Sequence, residues 1–246
     1  MHSFIEKQLL PLRDAGTVTA AFLGDSVTHG CFGSKLKPND LPDMDYTAVY
    51  HNRFRVMISE LNTYDEEFCS CMRRKPVNII NAGIGGDNAA GGLARIERDV
   101  LRYSPDLCVV NYGLNDVNGE LDRYTKSLDG IFKTLRERGI PTVFLTCNML
   151  NTRVIKELIA DRYYEYAHKT AEMQNSGKLE RYLDAAKTVA YSNGVLICDA
   201  HRRWLDMHRS GLDVSMMLAN GINHPTRELH GLFAGCLLNT LLTGNE

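Results

Sequence analysis

The chain has 246 residues, 44% of them hydrophobic and 24% charged, and Lys+Arg 28 against Asp+Glu 30 leave a formal net charge of −2. That composition is too apolar for a disordered chain, lacks the basic footprint of a nucleic-acid binder, and contains no apolar run near the ~18 residues of a membrane-spanning helix. A chain of this length removes roughly 70–75% of its unfolded surface from water, enough for a core without disulfide staples.

Residues 1–12 include Glu6 and Pro11 and lack the basic start and apolar centre of a signal peptide. The seven cysteines are an odd number, and Cys108, Cys147 and Cys198 sit in apolar runs where Cys acts as a small hydrophobe. Cys69 and Cys71, one residue apart, match neither a redox pair nor a zinc knuckle. A reducing, cytoplasmic location is the expectation.

Short apolar segments at 17–23, 77–81, 106–111, 142–146 and 195–199 lack strict alternation, as strands covered on both faces do. Helical stripes separate them. Tyr46, Val49, Tyr50, Phe54, Met57, Ile58 and Leu61 form one; Leu93, Ile96, Val100 and Leu101 the next. Leu121, Tyr124, Leu128, Ile131, Phe132 and Leu135 form a third, and Leu179, Tyr182, Leu183, Ala186 and Val189 a fourth, each at three- and four-residue spacing. Strands alternating with helices predict a single α/β domain over 1–246, with a five-stranded parallel sheet between two helical layers. Residues 151–177 exceed what a connection requires, and Val154, Ile155, Leu158, Ile159 and Tyr163 predict an inserted helix. It would overhang the ligand edge as a lid or an oligomer contact.

Ligands of such sheets bind beyond the carboxyl ends of the strands, so the segment after each strand matters most. After the first comes Gly24-Asp25-Ser26-Val27-Thr28-His29-Gly30. A serine on a sharp strand-to-helix turn can expose its hydroxyl as a nucleophile; equally, it can simply cap the helix. After the second comes Asn81-Ala82-Gly83-Ile84-Gly85-Gly86-Asp87-Asn88, whose free backbone N–H groups suit an anion. A dinucleotide fingerprint there lacks its third glycine and its ribose-binding acid. After the third comes Tyr112-Gly113-Leu114-Asn115-Asp116, in which Asn115 either presents an N–H donor or forms an Asx turn. Before the last helix comes Asn220-Gly221-Ile222-Asn223-His224-Pro225, with Pro225 suited to a first helical turn. Each feature is ambiguous singly. Together they supply a nucleophile, a backbone donor, a side-chain donor and a base, which are the parts of acyl transfer.

These blocks, in this order, resemble the SGNH (GDSL-type) hydrolase superfamily: Gly24-Asp25-Ser26, then Gly86 followed by Gly92-Leu93-Ala94-Arg95, then Gly113-x-Asn115-Asp116, then His224-Pro225. The resemblance implies a flavodoxin-like α/β/α sandwich, Ser26 as nucleophile, His224 as base, and an oxyanion hole from the backbone N–H groups of Ser26 and Gly86 with the Asn115 side chain. It departs at one position. The acid usually found three residues before the histidine is Gly221 here, so Asn220 is expected in its place, with Asp213 or a backbone carbonyl as alternatives for orienting His224. The implied activity is a serine esterase acting on small acyl esters, O-acetyl groups on carbohydrate among them. A thioesterase, a lysophospholipase, or a non-catalytic binding member lacking the usual acid are the alternatives. No metal or cofactor is expected, and the expected partner is a small acyl ester, with homo-oligomers left open and neither nucleic acid nor membrane involved.

Overall fold

The computed structural model describes residues 17–33, 44–61 and 77–244. The leader expectation for residues 1–12 and the pair Cys69 and Cys71 lie outside them. Five strands form one parallel sheet: β1 (Val18–Gly24), β2 (Val77–Gly83), β3 (Leu107–Asn111), β4 (Thr142–Leu145) and β5 (Leu196–Cys198), in the order β2-β1-β3-β4-β5. Every expected strand is present, shifted by one or two residues at its ends. The helices are α1 (Ser26–His29), α2 (Tyr50–Leu61), α3 (Ala89–Asp99), α4 (Leu121–Glu137), α5 (Tyr164–Asn175), α6 (Lys178–Ser192), α7 (Ala200–Arg209) and α8 (Arg227–Thr243). Helix α2 packs on α8, while α3, α4 and α6 form a second layer, giving a three-layer α/β/α sandwich.

Burial explains the strand sequences. All five residues of β3 and all four of β4 are buried, because the helices cover both faces. On one face Phe22 meets Tyr50 and Phe54 of α2, at ring separations of 5.7 and 6.2 Å. On the other, Phe144 meets Phe132 of α4 at 5.9 Å. Most residues of the predicted stripes are buried or half-buried, but Tyr46 falls in the turn before α2 and is 56% exposed, and Leu121 at the start of α4 is exposed as well.

The segment 151–177 contains an extra helix, as expected, but not at the residues that suggested it. Residues 152–160 are irregular, and the helix begins only at Tyr164, after a short 3-10 turn at Asp161–Tyr163. Side chains and turn bonds, such as Leu158 N–H to the Ile155 carbonyl, satisfy this backbone instead of a helical ladder. Ser215 Oγ accepts from the N–H groups of Thr152 and Arg153, and Asn151 Nδ2 donates to the carbonyls of Arg153 and Ala167. Of the apolar residues that mimicked a helical stripe, Ile155 and Ile159 are buried, Val154 and Leu158 half-buried and Tyr163 exposed; Ile159 packs with Ala167 and Ile222 in a small separate core. Among the described residues, no helix is long and apolar enough to cross a membrane.

The strand ends stand level at one edge. Gly24 pairs with Gly83 on one side and with Asn111 on the other, and the Ile84 N–H continues the ladder to the Gly24 carbonyl at 3.1 Å. Arg95, buried on α3, clips these ends together. Its guanidinium donates to the carbonyls of Ala82 (2.7 Å) and Gly24 (3.1 Å), to the Tyr112 hydroxyl (2.9 Å), and to the carboxylates of Asp87 (2.8 Å) and Asp99 (3.0 Å). All five of its donor hydrogens are thereby used. Tyr112 reaches this clip because Gly92 leaves room: a β-carbon there would lie 2.4 Å from the Tyr112 hydroxyl. Gly92→Ala should therefore cost about 1–3 kcal/mol through overpacking, measured as a lower urea midpoint with an unchanged slope. An unchanged midpoint would mean that the Arg95–Tyr112 contact is free to move.

Candidate active site

Ser26 opens α1 directly after β1. The preceding Asp25 caps that helix, its carboxylate accepting from the Val27 N–H at 2.9 Å. The Ser26 hydroxyl lies 2.9 Å from Nε2 of His224, although 198 residues separate them. At the other side of the ring, Nδ1 lies 3.2 Å from the carbonyl oxygen of Phe32. A carbonyl only accepts, so the hydrogen sits on Nδ1 and Nε2 is left to accept from the serine. Burial pushes the ring's pKa down to about 4, against the smaller opposing effect of the Phe32 carbonyl. The imidazole is therefore neutral at pH 7, in the tautomer that can take a proton from Ser26.

Asn220 does not hold the ring. Its Oδ1 accepts from three backbone N–H groups, those of Ile222 and Asn223 at 3.0 Å and of His224 at 2.9 Å, and its Nδ2 donates to Asn223 Oδ1. With its oxygen saturated by the turn it builds, it has nothing left to offer the imidazole. Asp213 is placed elsewhere too: its carboxylate pairs with Arg153 at 2.6 Å and caps a turn at Ser215. Of the three alternatives for orienting His224, the structure shows the backbone carbonyl.

The loop after β2 presents Gly86, in a left-handed conformation at φ 77°. Asn115 Nδ2 donates to the Asp87 carbonyl at 2.8 Å, which spends one of its amide hydrogens and ties the two loops together. The backbone N–H groups of Ser26 and Gly86 take part in none of the described hydrogen bonds. Asp116 accepts from the Ala89 N–H at 2.9 Å. A carboxylate of the chain thus already occupies the amide that a bound phosphate would seek at the start of α3. From the other flank, the Gly85 N–H donates to His29 Nδ1 at 3.3 Å.

Beneath this rim lie two buried carboxyls, each with one oxygen lacking a described partner. Burial pushes Asp25 up to about 7, with Asp116 and Asp87 adding to the shift. Burial likewise pushes Asp116 up to about 6. Among the described residues, no group of three or more His, Cys, Asp or Glu side chains is placed to hold a metal ion.

The histidine loop has its own supports, which the sequence reading did not single out. Asn148 Nδ2, just past β4, donates to the Asn223 carbonyl at 2.8 Å, and the Asn151 N–H donates to the Ile222 carbonyl at 2.9 Å. Their signal was a pair of asparagines in an otherwise apolar run. The role of Phe32 left no signal, because a peptide carbonyl is common to all residues.

The family model of the GDSL-like Lipase/Acylhydrolase family matches residues 22–232. The chain belongs to that family. This GDSL-like acylhydrolase is a carboxylic ester hydrolase, and the match runs from the end of β1 through the other four strands to the His224 loop. Among solved structures it is similar to an acetylxylan esterase from Geobacillus stearothermophilus, at 17% identity and a TM-score of 0.64, covering 94% of this chain and 96% of that one. It is also similar to the acetyl xylan esterase AlAXEase (18% identity, TM-score 0.64, 91% and 100% covered) and to a lipase/acylhydrolase from Enterococcus faecalis (17%, 0.61, 92% and 96%). At these identities the likeness is one of fold. Comparison with curated protein sequences yields no match.

The saturation of Asn220 yields a test. Asn220→Asp preserves the acceptor of the turn and adds a charge that does not face the ring. Turnover should stay within about threefold of wild type, measured with a short-chain p-nitrophenyl ester. A gain near the ~10⁴ associated with a triad acid would show that position 220 does orient the imidazole.

Proposed function

We propose that this GDSL-like acylhydrolase is a serine esterase that releases small acyl groups through a Ser26–His224 pair, with O-acetyl groups on carbohydrate as its substrate class. The contact of 2.9 Å between the Ser26 hydroxyl and His224 Nε2 carries this reading. As Oγ attacks the ester carbonyl, its proton passes to Nε2; the imidazolium then returns that proton to the leaving alcohol. Water repeats the sequence on the acyl-enzyme and releases the acid. The oxyanion is received by the N–H groups of Ser26 and Gly86 and by the remaining amide hydrogen of Asn115. One such donor is worth roughly 2.7–4 kcal/mol.

The missing acid matters less than its usual cost suggests. Replacing a triad Asp by Asn costs about 10⁴ mainly because the ring takes the wrong tautomer. Here the Phe32 carbonyl accepts from Nδ1 and so enforces the productive tautomer. What a carbonyl lacks is the full charge that would stabilise the imidazolium, and burial adds to that deficit. The expected enzyme is active, with a weak base. Acetyl esters of carbohydrate are supported by the two similar acetylxylan esterases.

The test is hydrolysis of p-nitrophenyl esters of rising acyl length beside an acetylated xylo-oligosaccharide, with Ser26→Ala and His224→Ala as controls. Wild type should favour acetyl and release acetate from the oligosaccharide, and each variant should lose at least about 10³ in rate. A preference for long acyl chains would overturn the substrate class. Equal rates in all three proteins would overturn the Ser26–His224 pair.

A further inference from the structure

The carbonyl that faces His224 belongs to residues 30–33, directly after α1, and something must hold that segment still. A carboxylate side chain can adjust its rotamer to follow an imidazole; a peptide carbonyl moves only with its backbone. The precision of the Phe32–His224 contact therefore depends on whatever pins residues 30–33.

Several contacts converge there. The Arg227 guanidinium lies over the Phe32 ring, 4.5 Å from its centroid. Arg227 Nε also donates to the Asp45 carboxylate at 2.8 Å. Asp45 in turn donates its backbone N–H to the Gly30 carbonyl at 3.0 Å, beside an antiparallel bridge between Cys31 and Met44. The Phe32 ring also meets that of His230 of α8, at a ring separation of 4.8 Å. Arg227 is the first residue of α8 and stands three positions after His224, so the loop that carries the base runs directly into the helix that grips the segment orienting it. Gly33, left-handed at φ 73°, completes the fit: a β-carbon there would stand 3.0 Å from that of Asn220 and 3.7 Å from His224 Nδ1.

We propose that Arg227 and Asp45 are positioning residues for catalysis, a clamp that presses Phe32 into place so that its carbonyl performs the orienting part of the absent triad acid. This rests on the Ser26–His224 reading above. The guanidinium is suited to the task, because it can stack on an aromatic face while its edge pairs with a carboxylate. The pair is sheltered enough to matter. Its side chains are 38% and 25% exposed, and the Arg227 hydrogen bond holds the Asp45 carboxyl well below the usual range. Neither residue touches the reacting atoms. Their effect should appear in the chemical step and not in substrate binding.

The experiment measures kcat, KM, thermal midpoint and the labelling rate of Ser26 by a small fluorophosphonate. It compares wild type with Asp45→Asn, Arg227→Met, the milder Arg227→Lys and the Asp45→Asn/Arg227→Met double variant. Lys126→Gln, on an exposed pair of α4, is the control. The expected result is a fall of about 10–100-fold in kcat for Asp45→Asn and Arg227→Met, the scale of an ångström-sized misplacement. KM should stay within about twofold, labelling should slow in the same ratio as kcat, and the double variant should be no slower than the worse single one. Arg227→Lys should recover part of the rate and decides the matter if Arg227→Met fails to fold. Unchanged kcat in the folded variants would overturn the clamp, as would losses that follow the thermal midpoint or appear in KM. Labelling and hydrolysis absent from wild type itself would instead overturn the Ser26–His224 reading on which the clamp rests.

Discussion

The imidazole of His224 is held at both nitrogens, by a hydroxyl from the end of β1 at 2.9 Å and by the Phe32 carbonyl at 3.2 Å. Neither partner carries a charge. The ring is therefore neutral by environment as well as by pH, and its tautomer is set by the acceptor at Nδ1. The surrounding fold contributes mainly geometry to this arrangement. Asn220 shapes the turn before the histidine, Asn148 and Asn151 fasten that turn to the end of β4, and the irregular residues 152–160 lie behind it through the Ile159–Ile222 contact.

A second constraint acts at the rim of the sheet. The loops bearing Ser26, Gly86 and Asn115 leave three adjacent strands at one level, and Arg95 spans the first two. Arg95 also neutralises Asp87 and Asp99, while Asp25 and Asp116 cap helices with no cation in contact among the described residues. Burial raises both of these carboxyls above their ordinary value of 3.8. The folded chain thus binds protons there that the unfolded chain has released, so this pair disfavours folding above about pH 7 and the penalty fades as pH falls. His51 and His224, both lowered to about 4, act in the opposite sense. The unfolded chain protonates them first, and stability drains away as pH falls from 6.5 toward 4.

The fold was legible in the sequence because its signals are local and redundant. Buried parallel strands read as short apolar runs, and the stripes at Val49–Leu61 and Leu121–Leu135 have no competing interpretation. The 151–177 segment holds its expected helix, but further along than the stripe suggested: Ile155 and Ile159 are buried as a helical stripe would be, yet Asn151, Ser215 and short turn bonds serve their stretch of backbone. At the site, Ser26 and His224 were ambiguous singly and stood out only through the order of the four blocks. Asn220 did not do what its position suggested, since a side-chain amide has one oxygen and the turn takes it. The Phe32 carbonyl, with Arg227 and Asp45 behind it, lies beyond sequence reasoning because it arises from three segments meeting in space.

The central claim is that a neutral ring, bonded through Nδ1–H to a peptide carbonyl, stands ready to accept from Ser26. Nitrogen-15 NMR of the histidine rings reads both halves of that claim in one titration. The account predicts that His224 shows the Nδ1–H tautomer at pH 7 and stays neutral until the pH approaches about 4. A ring that carries its hydrogen on Nε2, or one that titrates at or above the ordinary value of 6.5, would contradict it.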